Sequence, residues 1–271
     1  MALENLKDIH YRKEGRVAIA TLDRPQRRNA QSNDMTEGLI SIIKEVEDDD
    51  DVRVMVLTAA DPWFCPGADA VNQAARARGE QTQEGPAKRI QYGRMVNDFV
   101  PTLYNCARPV IGAINGMAAG GGLSIALACD VRIASENARF CCVFVRRGRV
   151  PDVTASFTLP RLVGWEQACR LAFTGDIIDA QEALRIGLVT QVVAHDQLLP
   201  AAMDLANKIA GGPPITIEMT KKLMKLGMAN NHVESQVVME LGMQRVMGAT
   251  EDAKEGSISF GEKRAPVFRG R

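Results

Sequence analysis

Residues Pro109 to Ser135, PVIGAINGMAAGGGLSIALACDVRIAS, restrict the fold more than any other part of the chain. An apolar run of strand length enters a glycine-rich turn, the turn opens an apolar run of helical length, and a second strand follows. Strands this apolar belong to a sheet covered on both faces. The same rhythm occurs upstream, where VAIATL (Val17 to Leu22) reads as a strand and MTEGLISIIKEVEDDD as an amphipathic helix with an acidic, solvated end. VRVMVLTA (Val52 to Ala59) is the next strand, again apolar enough for burial on both faces. The alternation predicts a mixed α/β core.

Past about residue 195 the pattern becomes helical only, in LLPAAMDLANKIAG, ITIEMTKKLMKLGMA and VESQVVMELGMQRVMG, with Pro213-Pro214 separating the first two. The expected organisation is therefore a core over residues 1–195 and a helical region over 196–271. Met219, Met224, Met228, Met239, Met243 and Met247 fall on these helices, where packing and subunit contact account for them. Residues 76–94, RARGEQTQEGPAKRIQYGR, form a polar, glycine-interrupted segment expected to be a mobile connection.

At 271 residues and 46% hydrophobic content, the chain can bury a full core. Thirty-three basic residues balance thirty-three acidic ones, so no net field recruits nucleic acid or a membrane surface. Cys65, Cys106, Cys129, Cys141, Cys142 and Cys169 lie in apolar segments without metal-ligand spacing, and no secretory leader precedes them. The expectation is a cytoplasmic protein with reduced core cysteines and no bilayer span. His10, His195 and His232 have no metal-site spacing either.

Two turns carry the chemistry. Gly120, Gly121 and Gly122 follow a strand and open a helix, so backbone N–H groups can approach a ligand closely and the helix terminus favours an anion. The stretch lacks the ending of a P-loop and the spacing of the dinucleotide fingerprint. The second turn, WFCPGADA (Trp63 to Ala70), likewise places small residues after a strand. Two such turns can direct two N–H donors at one oxygen, which is the construction of an oxyanion hole.

FCPGAD, RPVIGAINGMAAGGGLSIALACDVRIAS, FTGDIIDAQEALRIGLV and EGSISFGEKRAPVFRGR, in that order, resemble the crotonase family, also called the enoyl-CoA hydratase/isomerase family. The resemblance implies a spiral of ββα repeats with C-terminal helices that build trimers, often paired into hexamers. It also implies an acyl-CoA substrate that brings coenzyme A with it and requires no resident cofactor or metal. By position, the N–H groups of Ala68 and Gly121 would hold the thioester oxygen as an enolate forms, flanked by Gly67, Asp69 and Gly120. The turn DRPQRRNA would shape the CoA pocket through Ala30, with Arg27 and Arg28 either meeting CoA phosphates or standing solvated on a loop.

Hydratases of the family use two glutamates, and those positions here are Ser124 and Phe144, residues of the expected pocket wall. Neither can activate water. Asp152, eight residues beyond Phe144, falls where the isomerase branches, including the ring-1,2-epoxyphenylacetyl-CoA isomerases, place one aspartate. One carboxylate suffices to move a proton from C2 to C4 of a 3-enoyl-CoA. A double-bond isomerase is the leading expectation. The alternatives are a hydratase or thioester hydrolase with atypical catalytic residues, and a non-catalytic acyl-CoA binder in which Asp152 only caps its helix. Two departures from the resemblance stand out: Arg147 and Arg149 where apolar residues are usual, and VTAS after the aspartate where glycines are usual. The arginines are expected to be ion-paired at a subunit interface, with entry into the pocket to select an anionic acyl group as the alternative.

Overall fold

The computed structural model describes residues 3, 6–80 and 98–271. Its first elements are β1 (Ile9–Glu14), β2 (Val17–Leu22), α1 (Asn33–Asp48), β3 (Val54–Ala59) and α2 (Ala70–Ala77). Next come α3, described over 98–105, then β4 (Val110–Ile114), β5 (Met117–Ala119), α4 (Gly121–Ala128), β6 (Val131–Ser135) and β7 (Arg139–Cys141). These lead to α5 (Ala155–Val163), α6 (Trp165–Thr174), β8 (Ile177–Asp179), α7 (Ala180–Arg185) and β9 (Gln191–Val193). The chain continues through α8 (Leu198–Ala210), α9 (Pro214–Ala229), α10 (Val233–Gly248) and α11 (Glu251–Glu262). Of the segment expected to be mobile, residues 81–94 lie outside the described residues.

A larger sheet has the order β1-β2-β3-β4-β6-β9, with β1 antiparallel and the remaining pairs parallel. Its side chains alternate between two covers, as the period of a strand requires. Val17 and Ile19 of β2, Val54 and Val56 of β3, and Ile111 and Ala113 of β4 pack with Leu198, Ala202, Ala206 and Ala210 of α8. The intervening Ala18, Ala20, Leu22, Met55 and Leu57 join the opposite cluster with α1, which contributes Met35, Leu39, Ile42, Ile43 and Val46. That spacing is one helical face, and Ser32 caps its start by accepting from Met35 N at 3.1 Å. Each fully buried side chain of this size contributes about 1.5–3 kcal/mol, so the doubly covered sheet is the rigid part of the molecule.

A smaller sheet has the order β5-β7-β8, and a bridge from Cys65 to Ala118 adds one more register position beside β5. Successive repeats thus give one strand to each sheet: β3 then Cys65, β4 then β5, β6 then β7. The chain therefore winds as a spiral, and the crossing from the first sheet to the second occurs each time at a tight turn. Gly116 sits at one such crossing, where a Cβ would collide with the Pro62 carbonyl.

By burial, the character of the chain changes after Ala210, one helix later than the division at residue 195 read from the sequence. Helix α8 covers the larger sheet, whereas α9 and α10 have no buried residue along sixteen positions each. Met224, Val233, Val238, Leu241, Val246 and Phe260 are all exposed. Arg53, buried at the start of β3, fastens this region to the core: its guanidinium donates to Ala210 O at 3.0 Å and to Phe268 O at 3.0 Å. The Asp252 carboxylate accepts from the backbone of Arg269 and Gly270 at 2.7 and 2.8 Å and holds the tail against α11.

Candidate active site

The spiral brings the two glycine-bearing turns into direct contact. The Cys65 carbonyl accepts from Ala119 N at 2.9 Å, and Cys65 N donates to Met117 O at 2.9 Å, so the first turn is laced to the strand that enters the second. Gly67 has φ +83, and a Cβ built on it would lie 2.7 Å from Gly121 N. A Cβ on Gly122 would overlap the Cys65 carbonyl. Both glycines are thus required by close backbone approach, and Gly120, with φ +53, supplies the left-handed entry into α4. Gly121 is the first residue of α4, so its N–H has no acceptor within the helix, and its nitrogen lies beside the turn that carries Ala68.

Both turns open on a cavity of about 180 Å³ whose wall includes Ala68, Gly120, Gly121, Phe144 and Asp152. Gln31, Pro66, Gln73, Val143, Val153, Arg147 and Arg149 complete the lining. Among these described lining residues Asp152 is the carboxylate. It stands exposed toward the opening, but apolar surroundings at its base withdraw water, and this burial pushes its carboxyl above the ordinary aspartate value. Arg149 pulls in the opposite direction and is the smaller influence.

Asp152 is not the helix cap. The N-cap of α5 is Thr154, which makes no side-chain capping bond. The Asp152 carbonyl is instead held twice, accepting from Ala155 N at 3.0 Å and from Ser124 Oγ at 3.1 Å. Ser124 is fully buried, so it reaches Asp152 from beneath the cavity floor and does not meet the cavity itself. Between the aspartate and the helix, Val153 and Thr154 have φ +49 and +75, a conformation that β-branched residues rarely adopt. The Thr154 hydroxyl is also buried without a hydrogen-bond partner among the described residues. Here lies the reason that VTAS is a departure: the backbone asks for glycine at both positions.

The other residues singled out in the sequence flank the cavity without lining it. Asp69 is buried and caps the start of α2 by accepting from Val71 N at 3.1 Å, while Arg24 and Arg27 approach it at 3.4 and 3.9 Å. The Ala30 carbonyl accepts from Arg24 Nη1 at 3.2 Å, and the Arg28 guanidinium stacks 4.9 Å from the centre of the Trp63 ring. Gln31 pairs in register with Ala68, and its amide oxygen lies 2.7 Å from where a Cβ on Gly121 would stand; Gln73 rises from α2. Neither glutamine was legible in the sequence, because only the contact between coils brings them to the cavity. Arg147 donates to Gln73 Oε1 at 3.2 Å, and among the described residues neither Arg147 nor Arg149 is ion-paired to a carboxylate within the chain. It is Arg146 that forms such a pair, with Asp176 at 2.9 Å.

The histidines serve elsewhere. His195 bridges Ser135 and Asp61 at 2.9 and 3.2 Å, and His10 contacts Asp23 at 2.5 Å. All six cysteines are free; burial pushes the Cys65 thiol, beneath the first turn, up to about 12. No helix among the described residues is long and apolar enough to cross a membrane. Two larger cavities, about 320 and 520 Å³, lie between α5 and α9 around Tyr104, Phe157 and Lys225. They share no lining residue with the Asp152 cavity and hold neither glycine turn.

The family model described as enoyl-CoA hydratase/isomerase matches residues 12–271. An (E)-benzylidenesuccinyl-CoA hydratase from Thauera aromatica is 38% identical over 257 residues, covering 94% of this chain and 96% of that protein. A 1,2-epoxyphenylacetyl-CoA isomerase from Escherichia coli is 33% identical over 255 residues, covering 94% and 95%. The crystal structure of an enoyl-CoA hydratase from Bacillus anthracis superposes with a TM-score of 0.90 at 31% identity, covering 98% of this chain and all of the other.

Proposed function

Because the chain belongs to the enoyl-CoA hydratase/isomerase family, and so acts on acyl-CoA thioesters, we propose that it shifts a double bond with Asp152 as its single acid/base group. The observation that carries this reading is one carboxylate sharing a small cavity with two turns that present backbone N–H groups. In the proposed reaction Asp152 removes a proton from C2 of a 3-enoyl-CoA, and the C–H electrons pass into the thioester to form a dienolate. The N–H groups of Ala68 and Gly121 hold the developing oxyanion, each donor of this type being worth about 3 kcal/mol of transition-state stabilisation. The same carboxylic acid then returns the proton at C4, leaving a conjugated 2-enoyl-CoA. A carboxyl raised by burial suits both halves, because it exchanges protons more evenly with carbon than an ordinary aspartate does.

Hydration is the second reading, favoured by the relative at 38% identity, which is a hydratase. Ser124, fully buried, and Phe144 offer no second base for water, which ranks it below isomerisation. The six free, mostly buried cysteines fit a reducing compartment, in line with a cytoplasmic enzyme.

The test is incubation of wild type and Asp152→Asn with 3-hexenoyl-CoA in deuterated buffer. Conjugation and deuterium at C2 and C4 are expected in the wild type, with a loss of at least about 100-fold in the variant. Consumption of 2-hexenoyl-CoA to a hydroxyacyl product instead would establish the hydratase. Binding with no proton exchange would overturn both.

A further inference from the structure

The lining of the Asp152 cavity carries more charged and amide groups than a hydrocarbon tail requires. Phe144, Val143, Val153 and Pro66 give it apolar walls, but Arg147, Arg149, Gln31 and Gln73 also line it. Acyl pockets for hydrocarbon are lined mainly by apolar groups, with few polar atoms. Resting on the acyl-CoA reading above, we infer that Arg147 and Arg149 form a subsite for a carboxylate carried by the acyl group, so that the preferred substrates are thioesters of dicarboxylic acids.

Three observations support this. The first is charge: among the described lining residues two guanidinium groups face one carboxylate, an excess of one positive charge that a monoanionic acyl group would balance. The second is availability. Arg147 gives one N–H to the neutral amide oxygen of Gln73 at 3.2 Å, which orients the guanidinium without neutralising it and leaves its other N–H donors for a ligand. Arg146, next in the chain, is by contrast already ion-paired with Asp176. The third is placement: Arg147 and Arg149 stand on either side of Gly148, whose φ of +62 lets the chain turn, and both line the cavity that holds Asp152.

The experiment measures binding of adipoyl-CoA, hexanoyl-CoA and free CoA by titration calorimetry to wild type, Arg147→Met and Arg147→Gln, with circular dichroism confirming the fold of each. The two saturated thioesters differ only in a terminal carboxylate and need no turnover to bind. Wild type is expected to bind adipoyl-CoA at least about tenfold more tightly than hexanoyl-CoA, the scale of a charge-assisted contact. In both variants that ratio should fall toward one. A ratio near one in the wild type overturns the inference. So does an equal weakening of all three ligands in the variants, which would assign the guanidinium to a CoA phosphate. Failure to bind either thioester overturns it together with the acyl-CoA reading. Loss of proton exchange with the adipoyl preference intact would sink the isomerase proposal alone.

Discussion

Asp152 combines an apolar base with a nearby cation, and the balance between them sets how it titrates. Because burial raises its folded carboxyl above the unfolded value, the folded state binds the proton more readily; this contribution favours folding at low pH and is lost as pH rises through the folded value. Asp152→Asn is therefore expected to melt no lower than wild type at neutral pH, even as activity disappears. The acid limb of kcat/KM should lie above the ordinary aspartate value of about 4, and Arg149→Met, which removes the lowering influence, should move it to higher pH. A limb unmoved by that substitution would show that another group is being titrated. At Thr154, glycine would relieve a left-handed β-branched residue and remove an unpaired hydroxyl, so Thr154→Gly should stabilise the fold by about 1 kcal/mol, read as a higher urea midpoint at unchanged slope. The carboxylate and the glycines of this site could be read directly, since each residue type announces its chemistry. Ser124, expected in the cavity wall, is instead the support beneath Asp152, because a serine does not reveal which carbonyl it will meet.

At the level of elements, the proposed oxyanion site is a junction between two turns, and its tolerance is set by backbone and not by side chains. Gly67→Ala would place a methyl group 2.7 Å from Gly121 N, across the space the thioester oxygen must enter. It should reduce kcat by about 100-fold or more while the far-ultraviolet spectrum stays native, and near-wild-type turnover would remove Gly121 N from the site. Strands β2, β3 and β4 were read correctly because burial on both faces leaves an uninterrupted apolar run. The role of α8 was not, since its small-residue face resembles that of any amphipathic helix and only strand register reveals which surface it covers. Helix α11 went unread because EDAKEGSISFGE, with two glycines and two serines among its twelve residues, has weak intrinsic helicity. Tertiary anchors supply what propensity lacks: Thr250 caps its start, and Asp252 binds the tail.

For the whole molecule, α9, α10 and α11 leave Met224, Val233, Val238, Leu241, Val246 and Phe260 exposed, an apolar surface of the kind that marks contact with another chain. We propose self-association through these helices, as the family resemblance implies. Sedimentation of the wild type should give a trimer or hexamer, and the pair Val238→Glu with Leu241→Glu should shift it to smaller species; a monomeric wild type would refute the proposal. The two halves of the proposed oxyanion hole belong to successive coils, so such a hole would work as a gauge of the spacing between them. Gentle heating or low urea that loosens the stack by a fraction of an ångström should extinguish turnover while both sheets remain intact, making activity the earliest reporter of the coils coming apart.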